Sequence, residues 1–165
     1  MRRYLIHAAL RKWFGVDNDA VRTLELVGPS LFSSTESQQL LVYAGDFRKA
    51  QWEPSVLDAL PCRLLRIKKL VEANGKTRFV IMIAPDKLTA YSRYLRRTDY
   101  ASLSRLEPFL DAHQLPAPRI DRRLSAAIAN GEIDVYLPNN THWGYRGHEI
   151  VAETVLEYLM SRQRQ

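Results

Sequence analysis

Along this chain the apolar positions change rhythm several times, and each change marks an element. LLVYA, residues 40–44, is an uninterrupted apolar run that stops at Gly45-Asp46, the pattern of a short buried strand closed by turn residues. From Pro54 to Asn74 the spacing becomes helical, through Val56, Leu57, Leu60, Leu64, Leu65, Ile67 and Val71. That predicts a helix which Pro61 breaks or kinks and Gly75 closes. RFVIMIAPD predicts the clearest strand of the chain, over 79–83, ending before Pro85. KLTAYSRYLRR and SLSRLEPFLDAHQL predict two helices, the second with Ser102 as its cap. APRID predicts a third strand over 117–121, and RRLSAAIANGE a helix stopped by Asn130-Gly131. GYRGHEIVAETVLEYLMSR predicts a last helix with Ile150, Val151, Val155 and Leu159 on one face. At the other end, Leu5, Ala8, Ala9 and Trp13 recur at helical spacing and predict a short amphipathic helix covering a core.

Strands alternating with helices at these intervals predict an α/β chain with a parallel sheet and right-handed crossovers. Its 165 residues suit one domain with one core. In a sheet of that kind ligands meet the loops beyond the carboxyl ends of the strands. Three loops fall there: GDFRKAQW after 40–44, APDKLTAY after 79–83, and LPNNTHWGYRG before the last helix.

Charge changes the picture little. The formal net charge is +6, with 11 Lys and Arg against 5 Asp and Glu in residues 51–105, so the middle third carries the excess. Those cations follow the polar faces of predicted helices without interleaved aromatics, which argues for solvated faces and against a nucleic-acid module. The single cysteine, Cys62, excludes an internal disulfide. MRRYLIHAALRKWFG has an apolar run too short for a signal peptide, and no other run approaches the ~20 residues of a membrane helix.

Candidate chemistry centres on His142, at the hinge between the most polar loop and the last helix. A histidine there is either a packed side chain or a base. Lys87 and Tyr91, one helical turn apart after a strand end, are candidates to meet an anionic or sugar-like substrate, or else a solvated lysine and a packed tyrosine. Trp143 is either a sugar-stacking platform or a lid over the core. His7, His113 and His148 are too scattered to make a metal site with His142.

VYLPNNTHWGYRGHEIVAETVLEYL resembles the terminal block of the SGNH (GDSL-type) hydrolase superfamily, closest to its alginate O-acetyltransferase-like branch, where an Asp-x-His-Trp block precedes a final helix. LLVYAGDFRKAQW and VIMIAPDKLTAYSRYL resemble the two preceding strand-loop units of that branch, so the similarity covers roughly residues 31–160. It implies a parallel three-layer sheet, SGNH or flavodoxin-like, that lacks its first strand or strands, the chain being one partial domain. It implies an ester hydrolase or O-acetyltransferase-like domain acting on acylated carbohydrate or another ester, extracytoplasmic, with no metal or cofactor. His142 takes the place of the base, and Asn140 stands where the branch has the orienting carboxylate. Asparagine can accept from an imidazole N–H and hold its tautomer, but it lacks the charge that stabilises imidazolium. Asp134 and Asp46 are the carboxylates available to replace it in space.

The family's Gly-Asp-Ser nucleophile block is absent from this chain. Gly28-Pro29-Ser30 is the nearest sequence, and there proline replaces the aspartate in what reads as a turn. The expectation is therefore either a hydrolase whose nucleophile lies outside this chain or a non-catalytic, carbohydrate- or partner-binding module of the same fold. An incomplete sheet also predicts an exposed apolar edge and self-association.

Overall fold

A computed structural model describes residues 20–51, 54–99, 106–113 and 115–163. The helix predicted around Leu5 to Trp13, with His7, and the cap at Ser102 lie outside the described residues. Strand β1 (Val21–Glu25) pairs antiparallel with β2 (Gln39–Tyr43), with Thr23 opposite Leu41. A 3₁₀ helix over Ala44–Gln51 follows. Helices α1 (Pro54–Val71), α2 (Lys87–Ala90), α3 (Leu106–His113), α4 (Ile120–Ala129) and α5 (Tyr145–Gln163) complete the order. The protein is thus mixed α/β, and the only sheet among the described residues has two strands.

The core forms where the apolar rhythms meet. Leu40, Leu41 and Val42 are all buried, so β2 is covered on both faces, as its unbroken apolar run requires. Against it pack Leu26, Leu31 and Phe32 from the β1–β2 connection, Leu88 and Tyr91 from α2 and its end, Ile120, Leu124 and Ile128 from α4, and Ile150 and Val151 from α5. Burying each such side chain contributes about 1.5–3 kcal/mol, enough to hold the short elements that propensity alone would not.

Several expectations are corrected. Residues 79–83 carry no regular secondary structure, with Ile81 buried and Met82 exposed, and they join no ladder among the described residues. Residues 117–119 are irregular and 120–121 already belong to α4, because Ile120, Leu124, Ala127 and Ile128 are buried together at helical spacing and Arg119 grips Asp121 through Nε and Nη2. The parallel sheet drawn from 40–44, 79–83 and 117–121 is therefore not formed by those segments, and β2 takes β1 as its partner instead. Helix α1 runs through Pro61, which is buried, so of the expected break or kink the break is not formed. The helix expected from Lys87 shortens to one turn and a 3₁₀ turn at Ser92–Tyr94. Gly75 (φ 67°) and Gly131 (φ 81°) end their helices in the left-handed region as predicted.

Candidate functional site

The three polar loops marked in the sequence come together through buried and half-buried polar contacts. From the 3₁₀ helix after β2, Lys49 Nζ donates to Asp86 Oδ2 and to Thr89 Oγ1, both at 2.6 Å. Asp86 also caps α2, its Oδ1 accepting from the Thr89 N–H at 2.9 Å. One carboxylate therefore starts a helix and anchors the neighbouring loop. From the other side, the Tyr136 hydroxyl donates to the Pro85 carbonyl at 2.7 Å.

Lys87 completes the junction from inside. Its side chain is wholly buried, and Nζ donates to the carbonyls of Leu137 (2.7 Å), Asn140 (3.1 Å) and Pro138 (3.4 Å) while lying 4.7 Å from the centre of the Phe32 ring. Burying an ammonium costs several kcal/mol, and convergent carbonyls with an aromatic face are what offset it. Lys87 and Tyr91, candidates for substrate contact, are corrected on this point: both are fully buried and turned into the protein. Tyr91 stacks at a tilt on Phe32 and edge-on to Tyr136, and its oxygen accepts from the Tyr136 N–H at 3.4 Å. Burial pushes both phenols well above the usual tyrosine range.

The loop they hold is a narrow hairpin. Tyr136 and Trp143 pair as an isolated antiparallel bridge, and the Leu137 N–H donates to the His142 carbonyl at 2.9 Å. Within it, Asn140 Oδ1 accepts from the backbone N–H of His142 at 2.8 Å. Asn140 thus caps a turn, and no hydrogen bond joins its side chain to the imidazole among the described residues. The ring of His142 is exposed and makes no hydrogen bond with a carboxylate among the described residues. Trp143 is half-buried against the core, edge-on to His148 at 5.5 Å, so it is in larger part a lid.

Of the other candidates, Asp134 stands at φ 53° with Oδ1 accepting from the Ser33 N–H, and so serves the 31–33 segment. Ser30 donates to the Phe32 carbonyl at 3.4 Å, and no hydrogen bond joins it to His142. Asp46 belongs to the three-loop junction. Burial, with Asp86 nearby, raises its carboxyl to about 6 despite Lys49 and the Tyr43 backbone amide, which pull it down. No spacing rule singled out Asp46 as perturbed. Its signal in the sequence was only its place after a buried strand. Among the described residues no three His, Cys, Asp or Glu side chains are placed to hold a metal, and no helix is long and apolar enough to cross a membrane.

In comparisons with protein-family models, curated proteins and solved structures, nothing matches this chain.

Proposed function

We propose that this chain is part of an SGNH-like ester hydrolase or O-acetyltransferase acting on acylated carbohydrate, with His142 as its base and a nucleophilic serine supplied from a segment outside it. One observation carries the reading. The loops after β2, after 79–83 and before α5 are tied together by Lys49, Lys87 and Tyr136, and they leave the His142 imidazole exposed at the edge of that junction. A base on a loop that several buried contacts hold in place is what proton transfer from an incoming hydroxyl needs. On this reading the irregular runs 79–83 and 117–119 take strand positions in a parallel sheet that other segments complete.

A second reading, a binding module of the same ancestry, is favoured by the commitment of Asn140 to the backbone, with no hydrogen-bonded orienter on the imidazole among the described residues. The test separates the two. The chain alone should hydrolyse p-nitrophenyl acetate negligibly, and Ser30→Ala should not alter the residual rate. Joined to the flanking segment of its natural reading frame that carries the serine, it should turn over, and His142→Ala should then cost several orders of magnitude. Turnover by the chain alone that Ser30→Ala abolishes would overturn the proposal. So would a completed protein indifferent to His142.

A further inference from the structure

Two clefts in the described structure are lined by arginines, and they differ in how those arginines are engaged. The larger, about 630 Å³, lies beside β1 between Arg22 and the Arg96-Arg97 pair. There Arg96 is paired with Glu25 and Arg97 with Asp99, so two of its three guanidinium groups already face carboxylates. The smaller, about 320 Å³, lies between the end of α5 and the turn that follows α1, lined by Lys68, Arg78 and Arg162 with Glu72 as the one carboxylate.

In this second cleft the single carboxylate is occupied. Glu72 is bonded to Lys68 Nζ through Oε2 and accepts from the Phe79 N–H through Oε1 at 3.0 Å, and these contacts hold it below the usual glutamate range. Neither Arg78 nor Arg162 has an ion-pair partner among the described residues. Arg162 lies over the ring of Tyr158, 5.3 Å from its centre. Phe79, Val80, Tyr158 and Leu159 give the same cleft an apolar and aromatic wall. Two exposed guanidinium groups that make no direct ion pair, Arg78 acting on Glu72 only at a distance, beside a wall of that kind, fit a dianionic oxyanion carried on a small apolar group. The volume is at the lower end of the range for small-ligand sites.

We infer that this cleft binds a soluble phosphate monoester, the phosphate held by Arg78 and Arg162 and the organic part laid on Phe79 and Leu159. The site is separate from the three-loop junction and does not rest on the hydrolase reading. Phenyl phosphate is the probe, titrated by calorimetry at low salt beside inorganic phosphate and benzyl alcohol. Phenyl phosphate should bind with a roughly millimolar or tighter constant, inorganic phosphate should compete, and benzyl alcohol should not. Arg78→Gln with Arg162→Gln should weaken binding about tenfold or more, whereas Arg22→Gln should leave it unchanged and the charge-conserving Lys pair should retain part of it. Both arginines are exposed, so the double variant should keep the native circular dichroism spectrum. Binding that survives the double variant, or that benzyl alcohol reproduces, overturns the assignment. Sedimentation with phosphatidic acid vesicles, without binding of soluble phenyl phosphate, overturns the soluble ligand and moves the phosphate to a lipid headgroup.

Discussion

Lys87 Nζ lies 2.7 Å from the carbonyl oxygen of Leu137, fifty residues along the chain, and that contact locks the His142 loop to the start of α2. The lysine is the first residue of a one-turn helix, so its stem leaves the backbone at a point already fixed by the Asp86 cap. The carbonyls it meets sit on a loop that is only half-buried. Removing the ammonium therefore relieves its own desolvation and lets water reach at least some of those carbonyls.

Lys87→Met should consequently cost only about 1–3 kcal/mol of global stability, measured by urea unfolding, because the two effects oppose each other. The larger effect should be local. Amide exchange at Leu137 and His142, whose N–H groups close the hairpin, should accelerate by at least an order of magnitude relative to amides of α4. Unchanged protection at both amides would show that the lysine does not hold the loop.

Asp46 should make stability depend on pH in a defined direction. Its carboxyl is raised from 3.8 to about 6 in the folded protein, so between those values the native state holds a proton that the unfolded chain has released. Stability from this group is present below pH ~4 and falls as pH rises to about 6. Asp46→Asn should flatten that decline and leave the protein about 1 kcal/mol more stable than wild type at pH 7, a figure discounted for the group's partial exposure. Parallel urea midpoints from pH 4 to 7 check it, and a wild-type decline of the same slope in the variant would refute it.

Gly144 and Gly131 should respond differently to alanine. A Cβ on Gly144 would lie 2.0 Å from the Asp134 carbonyl oxygen, where the Gly144 N–H also donates to Val135 O at 3.0 Å. Backbone would have to move, so Gly144→Ala should lose several kcal/mol or fail to fold. Gly131 meets nothing within 4 Å and carries only the strain of φ 81°, so its alanine variant should lose about 1 kcal/mol. Thermal midpoints measured side by side test the order.

Exposed apolar side chains outside the core should make this chain associate with itself. Leu70 is 68% exposed, Leu156 58% and Met82 51%, the last on the run 79–83 that has no ladder partner among the described residues. Sedimentation velocity should show species larger than the monomer growing with concentration, and Met82→Lys should reduce them. A monomer throughout the accessible range would rule this out.

Much of the local structure was legible in the residues. The helical period of α4 and α5, the glycines that end α1 and α4, the unbroken apolar run of β2 and the three polar loops all follow from local spacing and turn chemistry. Strand β1 was not legible, because VRTLE mixes polar and apolar residues over only five positions and acquires its shape by pairing. What β2 pairs with, and that 79–83 joins no ladder here, are likewise tertiary outcomes. An apolar run records that a segment is covered and says nothing of what covers it. The same limit governs the site. The sequence placed Lys87 at the start of a helix and Asn140 and His142 in a polar loop, since cap and turn residues mark those positions, whereas their meeting is a tertiary outcome. Only the tertiary structure decided that the Lys87 ammonium turns inward, because three carbonyls distant in sequence converge there to offset its desolvation, and that Asn140 serves the backbone, its oxygen accepting the His142 N–H of the turn it closes.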